Sequence, residues 1–240
     1  MGDQFIRSRA ILGSDNIDLL AKKHVAIFGL GGVGGHATEA LARIGVGELT
    51  IIDNDIVDIS NINRQLIATH SSIGKDKVDV MEKRLLDINP NLKIHKLKLF
   101  YNEEDKSIDF SKYDYVVDAI DTVTGKFGII LNCSKLGIPV ISALGCGNKM
   151  DPSKLEVTDI SKTSYDPLAK VMRKKLRDNG IRHLKVVYSK EEPLDIIEPF
   201  EDGSGTRHSP GSTPFVPPVA GIIIASEVCK DLLNETIESE

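Results

Sequence analysis

The strongest constraint on this chain is a glycine run, Gly29-Leu30-Gly31-Gly32-Val33-Gly34, set between a β-rich segment and a helical one. Residues 24–28 form a short β-rich run. Residues after Gly34 keep helical spacing to about Ile44, where Gly45 and Gly47 act as stop signals. Residues 49–52 then read as a second buried strand that ends in Asp53. Strand, glycine turn, helix and strand make a βαβ unit, and such crossovers build parallel sheets. The glycines let backbone approach a phosphate, and the following helix N-terminus offers amide donors and partial positive charge. Asp53 is placed to accept hydrogen bonds from ribose hydroxyls. Alone, this pattern points to a nicotinamide-binding oxidoreductase or a redox-sensing module.

The alternation continues. A helix is predicted over residues 75–88, stopped by Asn89-Pro90, with strands over 93–99, 113–117 and 139–142 and a helix over 126–136. The fold class is therefore α/β: Rossmann-like, a mostly parallel sheet, with a nucleotide-binding first half and an elaborated second half packed on it. Ligands of open α/β sheets bind beyond the carboxyl ends of strands, where residues 29–34, 53–55 and 118–121 all fall. A length of 240 residues suits one domain over 1–240, with a nucleotide core at 5–145 and a substrate-side extension at 146–235. In that extension Asp166-Pro167 predicts a helix start and Asn179-Gly180 its end. Residues 191–213, rich in Glu, Pro, Gly and Ser, predict a mobile loop. The apolar stretch 215–228 predicts a last strand or turn and a packing helix.

The stretch beyond Asp53 does not suit nicotinamide. Residues 53–65 are dense in polar groups that bind phosphate and sugar, and Lys77 and Asp121 come later. Two cations, Arg64 and Lys77, with a metal-ready carboxylate, Asp121, match a triphosphate: cations stabilise charge developing on a phosphate, and Mg²⁺ steadies the leaving pyrophosphate. No GxxxxGK[ST] is present, so this is not a P-loop. Cys133, Cys146 and Cys229 form no CxxC pair, which excludes a four-cysteine zinc site and leaves packing as their expected role.

In order, GLGGVG, IDND, SNINRQ, the lysine of Gly74-Lys75-Asp76-Lys77-Val78, and DAID resemble the adenylation domain of the ubiquitin-activating (ThiF/MoeB/HesA) family over residues 5–145. The resemblance implies ATP as cofactor. It places Gly29, Gly31, Gly32, Gly34, Ser60, Asn61, Asn63, Arg64 and Gln65 at ATP, with Asp53 at the ribose and Asp55 and Thr122 among the contacts. Arg64 and Lys77 would grip phosphates, and Asp121 would organise Mg²⁺ and the triphosphate. Arg9 matches an arginine that family dimers offer to the neighbouring subunit's ATP, which implies a homodimer. The family's zinc cysteines and thioester cysteine are missing, and only Cys146, between Gly145 and Gly147, draws attention.

The second half resembles the tRNA threonylcarbamoyladenosine dehydratase branch, through Gly147-Asn148-Lys149-Met150-Asp151-Pro152, Asp159-Ile160-Ser161-Lys162-Thr163, Asp166-Pro167-Leu168-Ala169, Val187-Tyr188-Ser189-Lys190-Glu191 and Pro210-Gly211-Ser212 with Phe215-Val216-Pro217-Pro218-Val219-Ala220-Gly221. That branch implies adenylation of a threonyl carboxylate in tRNA, then ring closure by the modification's own carbamoyl group, so no thioester cysteine is needed. It implies a tRNA partner, no zinc, and a candidate sulfur-transfer partner of the cysteine desulfurase system. It admits a monovalent cation. The rival within the superfamily is an activator of a ubiquitin-like sulfur-carrier protein.

A formal charge of −5 disfavours nucleic acid overall, but residues 162–190 carry nine Lys or Arg against two Asp. Helical spacing places Lys170, Arg173, Lys174 and Arg177 on one face as a tRNA contact, with Leu168, Val171, Met172 and Leu176 opposite, and the basic excess continues through Arg182, His183 and Lys185. No secretory-signal pattern opens the chain, and its longest apolar run, residues 219–225, is too short for a bilayer. A cytoplasmic protein without membrane contact is expected.

Overall fold

Alternation of side chains along each strand decides how the layers stack. The computed structural model describes residues 3–198 and 210–237. Two short helices, α1 (Ile6–Leu12) and α2 (Ser14–Leu20), lead into β1 (His24–Phe28), α3 (Gly34–Ile44) and β2 (Glu48–Ile52). Next come α4 (Lys77–Ile88), β3 (Lys93–Leu97), β4 (Tyr115–Asp118), α5 (Val123–Leu136) and β5 (Val140–Ala143). Val25 and Ile27 point into one apolar cluster with α3 and α4, while Ala26 and Phe28 point into a second with α5. Every central strand is thus buried on both faces, as parallel sheets require.

With β6 (Leu155–Asp159) and β7 (Lys185–Ser189), the sheet runs β3-β2-β1-β4-β5-β7-β6. All neighbours are parallel except β6, which pairs antiparallel with β7. Chain order reverses between β1 and β4, which pair with Phe28 opposite Asp118, and this reversal opens a crevice at their carboxyl ends. The predicted α/β class and βαβ unit are present. No strand is predicted over β6 and β7, although Val186-Val187-Tyr188 is a β-rich run; the two strands flank α6 (Pro167–Asp178). As predicted, Asp166 caps α6: its side chain accepts from the Ala169 amide at 3.1 Å.

The stretch after residue 215 corrects the expectation of a strand or turn. It is helix α7 (Val216–Ile237) from its first residue. Pro217 and Pro218 fit in the first turn, whose amides need no intrahelical partner. Val216, Ala220, Ile224, Val228 and Leu232 are buried, a four-residue spacing that fits a helix laid along α3. Part of the predicted mobile loop, 199–209, lies outside the described residues. Its flanks are pinned: the Glu191 carboxylate accepts from the amides of Met150 and Asp151, and the Leu194 amide donates to Asn148.

Candidate active site

At the carboxyl ends of β1, β2 and β4 lies a cleft of about 990 Å³. The glycine turn forms its floor. Gly29 has φ +89°, and a Cβ there would stand 2.8 Å from the Ala119 carbonyl oxygen. A Cβ on Gly34 would stand 1.8 Å from the Gly29 oxygen, so only glycine lets α3 start this close to the turn. Gly34 therefore packs behind the floor, whereas Gly29, Gly31 and Gly32 line the cleft.

Asp53 braces the floor. One oxygen accepts from the Leu30 amide at 2.6 Å and the other from the Asp55 amide at 2.8 Å. Burial raises its pKa above the usual carboxylate value, against the opposing pull of Lys77. Beside it Gln65 is buried, and its Oε1 has no hydrogen-bond partner among the described residues. That is an acceptor a bound nucleotide could satisfy.

Two cations enter the same cleft. The Arg64 guanidinium donates to the Ser60 carbonyl at 3.0 Å and to Asn63 Oδ1 at 2.9 Å, and burial lowers its pKa. Lys77, the first residue of α4, is 4% exposed, and its ammonium lies 2.8 Å from Asp55 Oδ2. Asp121 and Thr122 line the same cleft from the turn before α5. Ser60, Asn61, Asn63, Arg64, Gln65, Asp53, Asp55, Lys77, Asp121 and Thr122, brought from across the first half of the chain, thus share one cavity. The carboxylates of Asp55 and Asp121 supply the hard oxygen donors that Mg²⁺ prefers, so the residues fit that ion.

Asp118 departs from its expected place. It is fully buried beneath the cleft, 3.0 Å from the Lys126 ammonium and 2.6 Å from Ser142 Oγ. Lys126 also donates to the Ala143 carbonyl at 2.6 Å, joining α5 to the ends of β4 and β5. Its one sequence signal is a lysine directly before the apolar run of residues 127–131. The second half supplies the remaining wall: Gly147, Pro210, Gly211, Ser212 and Pro217 line the cleft, and Asn63 donates to the Ser212 carbonyl at 2.9 Å.

Arg9 does not line the cleft of its own chain. It is held by Asp3 at 2.9 Å and Asp18 at 2.8 Å. Cys146 lines the cleft, but burial pushes its thiol up to about 12; Cys133 rises likewise to about 12 and Cys229 to about 11. None is a thiolate at neutral pH.

The basic helix face is narrower than predicted. Lys170, Lys174 and Arg177 are exposed, but Arg173 donates to the Thr163 carbonyl at 2.9 Å and to its hydroxyl. Lys185 is occupied by Asp231 and Glu227. On the other side Ala169, Met172 and Leu176 are buried, while Val171 is exposed, because the helix turns that edge to solvent.

A profile of the ThiF family matches residues 5–239. The tRNA threonylcarbamoyladenosine dehydratase of Bacillus subtilis is 43% identical over 243 residues, covering 97% of this chain and 95% of that protein. Two crystal structures of the E. coli tRNA N6-threonylcarbamoyladenosine dehydratase are similar in fold. The AMP complex has a TM-score of 0.89 at 32% identity, covering 98% of this chain and 96% of that one. The ATP complex has a TM-score of 0.87 at 30% identity, covering 99% and 96%.

Proposed function

The chain belongs to the ThiF family, and from that premise we propose that it is an ATP-dependent tRNA threonylcarbamoyladenosine dehydratase. The observation that carries this reading is the near full-length match to the B. subtilis enzyme of that name. It takes in the second-half segments that wall the cleft, beyond the nucleotide core shared with sulfur-carrier activators.

In this reading the nucleotide lies on the Gly29–Gly34 turn, with Asp53 and Gln65 at its ribose and base side. A threonyl carboxylate oxygen of the substrate attacks the α-phosphorus, the bond to the β-phosphate oxygen breaks, and pyrophosphate leaves. Arg64 and Lys77 offset the charge that develops on the phosphate oxygens. Lys77 must give up or share Asp55 to do so. Mg²⁺, held through Asp121, would supply charge neutralisation at the departing pyrophosphate. The carbamoyl group of the same modified base then attacks the acyl carbon, loses its proton, and AMP leaves as the ring closes. The nucleophile belongs to the substrate, which accords with three cysteines held as thiols. Positioning and electrostatics remain for the protein to provide.

A homodimer in which Arg9 reaches the neighbouring cleft belongs to the same proposal. So does tRNA held across Lys170, Lys174 and Arg177. Among the described residues no helix is long and apolar enough to cross a membrane. The test is nucleoside mass spectrometry of tRNA carrying threonylcarbamoyladenosine, before and after incubation with protein and Mg·ATP. Loss of one water from the modified nucleoside is expected. Unchanged nucleoside, with pyrophosphate exchange driven instead by a small protein ending in Gly-Gly, would assign the chain to the sulfur-carrier activators.

A further inference from the structure

The amino-terminal end of the sheet, away from the cleft, carries a second cluster of chemistry-bearing side chains. His24 opens β1, Glu48 opens β2, and His95 lies in β3; Glu48 pairs with both His24 and Lys93 in the ladder. Strand alternation puts all three on one face. Their ligand atoms lie within 4.8 Å of one another. We infer that His24, Glu48 and His95 bind one divalent transition ion of the zinc class.

The geometry needs little adjustment. Metal–ligand bonds of about 2.0–2.2 Å in a tetrahedron place ligand atoms roughly 3.3–3.6 Å apart. His24 Nδ1 already stands 3.5 Å from Glu48 Oε1, and His95 Nε2 stands 2.7 Å from the same oxygen. The second contact has only to open slightly, and His95 is 54% exposed and free to do so. That exposure also gives an entry path and leaves the fourth position to water.

The surroundings of His24 are those of a ligand. Its Nε2 is 2.8 Å from the hydroxyl of buried Thr50, which turns Nδ1 toward Glu48. A hydrogen bond at the far ring nitrogen is the usual way a metal-binding imidazole is oriented. The Tyr113 ring packs edge-on against it, centroids 5.0 Å apart, and fixes its plane. At 3.5 Å the His24–Glu48 contact is too long for a good hydrogen bond. Lys93, 3.9 Å from Glu48 and 76% exposed, is a weak competitor. Two imidazoles and a carboxylate favour zinc, copper or nickel over magnesium or calcium.

The ion would clamp the starts of β1 and β2 to the middle of β3. Chelator-treated full-length protein, free of ATP, is titrated with Zn²⁺ by calorimetry and with Co²⁺ by visible absorption. One equivalent per chain, intense tetrahedral cobalt bands and a Zn²⁺-dependent rise in Tm are expected. His95→Gln and Glu48→Gln, both at partly exposed positions and checked by circular dichroism, should each weaken binding at least tenfold and abolish the bands. Substoichiometric binding by the wild-type chain, an octahedral cobalt spectrum, or wild-type affinity in either folded variant overturns the site.

Discussion

The ammonium of Lys77 lies 2.8 Å from a carboxylate oxygen of Asp55, a pair formed across 22 residues of sequence at the rim of the cleft. The lysine is almost fully buried while the acid is 56% exposed, so Asp55 can swing away without leaving the solvent. A cation held ready in this manner costs little reorganisation when a phosphate arrives.

Lys77→Ala and Asp121→Ala should each lower adenylate formation by roughly 10²–10³, the usual loss for one preorganised charge at a transition state. Neither should unfold the chain, since Asp55 and Asp121 are both solvent-exposed. ATP–pyrophosphate exchange measures this, and wild-type exchange in either soluble variant would remove that residue from the site.

Lys126→Met should destabilise the fold by about 3–5 kcal/mol, because it strands a buried Asp118 carboxylate without its partner. Adding Asp118→Leu should recover much of that loss, since an apolar pair needs no desolvation of charge. Urea denaturation of the two variants decides; a double variant no more stable than the single one refutes this account.

Replacing Cys133, Cys146 and Cys229 together by serine should leave tRNA cyclisation mostly working, apart from packing losses. A folded triple variant that makes adenylate but no cyclic product would implicate a cysteine, with Cys146 the one lining the cleft.

Asp53 sets a pH dependence. Its folded pKa is raised above 3.8 by burial, so as pH climbs through that window the folded state must ionise an acid at extra cost. Stability contributed by this group is therefore present at low pH and lost as pH rises. The difference in unfolding free energy between Asp53→Asn and wild type should shift in favour of the variant from about pH 3.8 upward, then level off. A flat difference across that range contradicts the assignment.

Reversing Lys170, Lys174 and Arg177 to Glu should weaken tRNA binding and reduce the log–log salt slope by roughly 0.7–0.9 per lost contact. ATP binding should not change. Arg173→Glu belongs to a different class: it breaks the contacts to Thr163 and should lower Tm. Wild-type tRNA affinity of the triple variant at every salt concentration would make this face a merely solvated surface.

The βαβ core, the parallel sheet and the identity of the phosphate-binding turn are all written in local sequence. Each depends on short-range periodicity and on glycines at positions no other residue can occupy, such as Gly34 against the Gly29 carbonyl. The order of motifs also marks Arg64, Lys77 and Asp121 as one set without any distance between them. Which charges remain available is settled only when the chain folds. Asp118 and Asp121 stand three residues apart, yet one is sealed against Lys126 and the other faces the cleft. Arg173 and Lys174 are neighbours, yet only Lys174 is left exposed. A side chain's partner comes from another part of the chain, and periodicity along one segment carries no record of what packs against it. Strands β6 and β7 are settled the same way: Val186-Val187-Tyr188 is a β-rich run, but its partner strand lies on the other side of α6, and only the completed sheet supplies that ladder.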